Sequence, residues 1–150
     1  MYENQDGFPF IVGGRSESVA HLHPPAIQIF QLWQIYINNV NPLLRITHIP
    51  TVQGQIIEAS ARLEKTPKGV EALMFAIYLM AITSLEDSDV QKMFDETRTT
   101  MLGRYHTALQ QALINAGFMR TNDITVLQAY MLYLVSIPVR CLDSPTLHRD

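Results

Sequence analysis

The sequence predicts an all-α fold of about five helices, and three observations predict it. Apolar residues recur at spacings of three and four through most of the chain, and nowhere do they alternate with a period of two between hairpin turns. Residues Ala72 to Ile82 form eleven consecutive apolar positions, far short of the roughly 20 that span a bilayer but suited to a helix buried on every side. Prolines and glycines separate the periodic segments, because they interrupt backbone hydrogen bonding.

The elements follow in order. Residues 1–23, with Gly7, Pro9, Gly13 and Gly14 among polar neighbours, are expected to be a mobile N-terminal arm. From about Pro25, the polar stripe Gln28, Gln31, Gln34 and Asn38 leaves Ile27, Phe30, Trp33, Ile37 and Val40 for the buried side, and Pro42 is the expected stop. A second helix is expected over Val52 to Leu63, capped by Thr51 and turning Val52, Ile56, Ile57 and Leu63 inward. Thr66 and Pro67 suit the cap and first turn of the third, central helix. One long amphipathic helix is expected from Ser88 to Gly117, with Val90, Met93, Phe94, Met101, Tyr105, Leu109, Ala112 and Ala116 inside. Gly103 within it predicts a bend or a close helix contact. The last helix runs from about Asp123 to Ile137 and ends before Pro138. The helical domain is thus expected over residues 24–137, with an irregular tail over 138–150.

Size and composition narrow the function. A 150-residue chain buries roughly 68–70% of the surface it exposes when unfolded, so one core suffices. Hydrophobic residues make up 47% and charged residues 17%, below the roughly 25% charge of an average soluble protein; the surplus apolar surface must enter a core, a partner or a ligand cavity. A net charge of −3 offers no basic field for a phosphate backbone, so direct nucleic-acid binding is not expected. The N-terminus has no basic segment followed by an apolar run of the kind a secretory signal requires, and the chain is expected to be soluble and off the membrane. Cys141 is the only cysteine; it excludes an internal disulfide and any multi-cysteine zinc site, and reads as a structural thiol.

Reactive groups are sparse and scattered. His21 and His23 would face one side of an extended segment, but two imidazoles without a third ligand make a weak metal site. His48 and His106, the latter beside Tyr105, lack a nucleophile elbow or an HExxH pattern to orient them, so they read as structural. Glu86, Asp87, Asp89, Asp95 and Glu96 suit helix initiation better than paired acid–base chemistry. The terminal HRD triplet matches the catalytic loop of protein kinases by chance, since no glycine-rich nucleotide loop accompanies it. Met74, Met80, Met93, Met101, Met119 and Met131 are expected on or near apolar faces as adaptable packing. No catalytic, cofactor-binding, metal-binding or DNA-binding residue is assigned, and no cofactor is expected.

Three long segments carry a family resemblance: IFQLWQIYINNVNPLLRITHIPTV, PKGVEALMFAIYLMAITSL and FDETRTTMLGRYHTALQQALINAGFMRTNDITVLQAYMLYLVS. In this order they resemble the start of the fungal-specific transcription factor domain, the helical regulatory region downstream of a zinc binuclear cluster in many fungal activators. The resemblance covers about Pro24 to Ser136. It implies a regulatory scaffold, with the Trp33 to His48 stretch used for packing and turn geometry. Two departures go with it. The binuclear cluster needs six cysteines, and the segment SIPVRCLDSPTLHRD reaches Leu147-His148-Arg149-Asp150 early. The helical core is therefore expected to be truncated, leaving apolar faces of the last helix uncovered.

The expected function is non-catalytic transcription regulation without a DNA-binding module of its own, through helix packing with a full-length regulator or a second copy and with room for a small-molecule effector. The location implied is nuclear when bound to or part of a regulator, and otherwise cytoplasmic. The rival expectation is a small helical enzyme or ligand carrier of secondary metabolism, drawing on His48, His106 and Tyr105.

Overall fold

The computed structural model describes residues 15–142, with side chains described through residue 137. Six α-helices make up the fold, and no strand occurs among the described residues. They are α1 (Ala26–Ile35), α2 (Ile49–Ala61), α3 (Lys68–Thr83), α4 (Asp87–Phe94), α5 (Arg98–Asn115) and α6 (Ile124–Leu142).

The eleven-residue apolar run does what its composition requires. Every residue from Glu71 to Ile82 on α3 is buried, and α5, α6, α1 and α2 all pack against it. Burying an element on all faces removes apolar area from water at about 25 cal/mol per Å², so α3 is the axis of the core. Its start differs from the sequence expectation. Thr66 turns back so that its Oγ1 donates to the Arg62 carbonyl, and Pro67 takes the N-cap position, where its carbonyl accepts from Glu71 N at 2.9 Å.

The first helix is a turn longer than α1 alone. After Ile35 the ladder widens into a π-helical turn, Tyr36–Val40, closed by the Asn41 N–H donating to the Tyr36 carbonyl, and the chain then turns at Pro42 as its missing N–H predicts. Its inner face is Ile29, Leu32, Trp33, Ile35, Tyr36 and Val40; Ile27 and Phe30, expected inside, are exposed. In α2, Pro50 lies in the first turn and Thr51 is bonded by the His48 ring instead of capping. Val52 and Ile56 point inward as expected, Leu63 is half-buried in a following 3-10 turn, and Ile57 is exposed.

The expected long fourth helix is two helices. Asp95 sits in the left-handed region at φ 59°, which Asp tolerates better than most residues, and Thr97 caps a new helix by accepting from Thr100 N at 3.1 Å. Short polar side chains compete with the helix ladder for backbone groups, and here two of them win. Gly103, where a bend or contact was expected, stands in an uninterrupted, exposed turn of α5 with nothing within 4 Å of a notional Cβ. Gly117 is left-handed at φ 65° and ends the segment as expected.

The last helix runs through Pro138 to Leu142 instead of stopping before it. Proline deletes one hydrogen bond, that to the Leu134 carbonyl, but its φ is helical, so a helix already propagated over four turns continues. Residues 15–23, assigned to a mobile arm, are strapped to the bundle. Asn115 accepts from Glu17 N and donates to the Glu17 carbonyl, Gln111 donates to the Arg15 carbonyl, and Val19 is buried. The rest of the expected arm, the Cys141 side chain and the segment Leu147 to Asp150 lie outside the described residues.

Candidate functional site

The polar centre of the molecule is built on one face of α3. Glu71, Phe75 and Tyr78 stand at i, i+4 and i+7, so their side chains align. Pro24 and Pro25 end the strap in an extended turn before α1, and the residue before them, His23, drops its ring onto that face. Its side chain is 0% exposed. The ring stacks on Phe75 at 4.3 Å, Nε2 lies 3.0 Å from Glu71 Oε2 and Nδ1 2.8 Å from the Tyr78 hydroxyl. Both ring nitrogens are therefore engaged, and the buried carboxylate and hydroxyl are satisfied together, as buried polar groups require.

The cluster extends across to α5. Tyr78 and Tyr105 rings lie 5.2 Å apart, and the Arg104 guanidinium, paired with Glu96, stands 5.6 Å from the Tyr105 ring centre. Burial pushes the Tyr78 hydroxyl well above the ordinary tyrosine range, and the nearby Tyr105 and Glu71 add to it. Burial also raises Tyr105, whose hydroxyl has no well-formed hydrogen bond; the Arg104 guanidinium offsets part of the shift. Within this core His23 bridges Glu71 and Tyr78, and Arg104 pairs with Glu96.

The sequence candidates do not assemble. His21 is exposed in a 3-10 turn while His23 is in the core, so the two do not share a face. His48 is bonded to Thr51 at the head of α2, whereas His106 stacks on Tyr133 of α6 at 5.6 Å, within reach of Gln110. No cluster of three metal-ligating side chains occurs among the described residues. Asp87 and Asp89 lie in the first turn of α4, where the helix dipole favours them. Met74, Met80 and Met101 are buried, but Met93, Met119 and Met131 are exposed. The His23–Glu71–Tyr78 cluster was not anticipated, although its signal was present: an acid and a tyrosine seven residues apart on an otherwise apolar helix.

Two open grooves lie on the described surface. A groove of about 770 Å³ between the end of α2 and the start of α3 is lined by Ile57, Ala59, Arg62, Lys65, Pro67 and Val70. A smaller one of about 260 Å³ lies beside the strap, against Ser18, Lys68, Glu71 and Asn115. The more distinctive surface is on α6. Val126, Ala129, Leu132 and Tyr133 are buried, whereas Ile124, Leu127, Met131 and Leu134 are 67%, 37%, 48% and 46% exposed. The expectation of an uncovered apolar face on the last helix thus matches the described part of α6. No helix among the described residues is long and apolar enough to cross a membrane.

No family model matches the chain, and no solved structure matches it. Homologues are found among fungal transcription factors. The chain is 45% identical over 127 residues, 85% of its length, to the aurofusarin cluster transcription factor aurR2 of Gibberella zeae. It is 43% identical over 77% of its length to the transcriptional regulator AacuB of Aspergillus aculeatus, and 33% identical over 89% to the C6 finger domain transcription factor adaR of Aspergillus niger. The matched regions are 19%, 16% and 18% of those proteins, so the chain spans less than a fifth of the relatives it matches.

Proposed function

We propose, from this homology to fungal transcription factors, that the chain is a transcription-regulatory helical domain of the zinc-cluster type of regulator and acts through protein contact, without chemistry of its own. One observation carries the reading: the 45% identity to a cluster-specific transcription factor extends over 85% of the chain, most of the helical framework around α3. The interior supports it, because the polar groups that an enzyme would need are spent on each other, with His23 bonded at both ring nitrogens. Function then falls to the surface, where a protein partner is expected and the place of work is the nucleus. The names of several relatives, such as the aurofusarin cluster factor, favour genes of a biosynthetic cluster as the targets.

Chromatin immunoprecipitation of the tagged chain from its source cells tests this. Enrichment at a defined set of promoters is expected, with DNA contacted by a zinc-cluster module and not by the described helices. Nuclear protein at verified levels with no promoter enriched would overturn the reading.

A further inference from the structure

We propose that the outer stripe of α6 is a docking face for one apolar helix, supplied by the part of a homologous regulator that this chain does not match. The proposal rests on the regulatory reading above and adds the surface and the partner's chemistry.

Ile124, Leu127, Met131 and Leu134 stand at i, i+3, i+7 and i+10, a single seam along three turns of helix. Their exposures, given above, leave on the order of 400 Å² of apolar surface in one strip, within the range at which patches on monomers become functional. Isolated exposed leucines are ordinary, but a continuous seam is not. No residue from Ile124 to Ile137 carries a charge, so the seam has no charged flanks of the kind that keep a solvated helix face soluble. The opposite face is packed on α3 and fixed by Gln128 donating to the Ile46 carbonyl at 3.0 Å, which holds the seam outward.

The shape and chemistry of the seam select among occupants. A stable pair of identical chains needs about 800 Å² per partner, roughly twice what the seam offers. A membrane surface helix relies on Lys and Arg along its polar face, and this segment of α6 has neither. A charged partner face would bury its charges without counter-ions. What fits is a single helix with apolar residues at the same spacing and neutral flanks. Such helices have ample room to occur in relatives of which more than four-fifths lies outside the match.

Peptides of about 20 residues, tiled across the part of the aurofusarin factor outside the match, are tested for binding to the purified full chain by fluorescence anisotropy. At least one amphipathic, weakly charged peptide is expected to bind. Met131→Asp with Leu134→Asp should weaken it at least about tenfold, while Ile57→Asp on α2 should not. If the double variant fails to melt cooperatively, Ile124→Asp, at the most exposed seam position, serves instead. Absence of any binding peptide overturns the proposal, as does binding indifferent to the seam variants. Sedimentation showing dimers that the seam variants abolish also overturns it, assigning the seam to a second copy. None of these failures removes promoter enrichment, which belongs to the regulatory reading alone.

Discussion

At the scale of single residues, the fold turns on how His23 joins the strap to the core. Substituting His23 by alanine removes a stacked ring and leaves the Glu71 carboxylate and the Tyr78 hydroxyl without partners in a site that water barely enters. The expected cost is about 3 kcal/mol in denaturant unfolding. Glu71→Gln keeps an acceptor for the ring and should cost markedly less. Equal losses in the two variants would mean that the cluster is not organised around His23. The buried tyrosines make a separate prediction. Tyr36, Tyr78 and Tyr105 all have hydroxyls raised above the ordinary 10.0 by burial, so the folded state holds their protons more tightly than the unfolded one. Their contribution is fully present below pH 10.0 and is lost as pH rises through the folded values. Unfolding free energy followed into the alkaline range should therefore fall above that point, with phenolate absorbance from these three appearing only as the chain unfolds.

Helical elements record where local chemistry overrode pattern. The apolar periodicity from Val90 to Ala116 is continuous enough to suggest one helix, yet Asp95 and Thr97 divide it. Thr97→Ala should cost about 1 kcal/mol as the loss of a true cap, whereas Ser88→Ala, inside the first turn of α4 and not at its cap, should be within about 0.5 kcal/mol of neutral. Gly103→Ala should stabilise by up to about 1 kcal/mol, since the site is helical and open. A destabilised Gly103→Ala variant would point to the close contact that the sequence suggested. The central helix was legible because eleven apolar residues in a row admit one placement. The break was not, because a left-handed Asp leaves no periodic trace. Pro138 misled for a related reason: the sequence shows the missing N–H, but not whether a helix already formed will carry it.

On the scale of the whole molecule, the described residues form a packed centre and leave one stripe of α6 exposed. Helix α3 is covered, the strap closes over its polar face, and α6 holds an uncharged seam toward solvent. Family likeness and the exposed seam were both readable in the sequence, the first from long ordered segments and the second from an apolar last helix with no charge from Ile124 to Ile137. The polar cluster was not, since it depends on a histidine assigned to a mobile arm reaching an acid 48 residues away. On the proposed reading, the covered core is scaffold and the seam is where regulation is exerted. The most direct test is to express the wild-type chain and the Met131→Asp, Leu134→Asp variant at matched levels in the source cells and measure transcripts. A coordinated change in a biosynthetic gene set with the wild type, absent with the variant, is the predicted result. An equal response to both chains would contradict the claim.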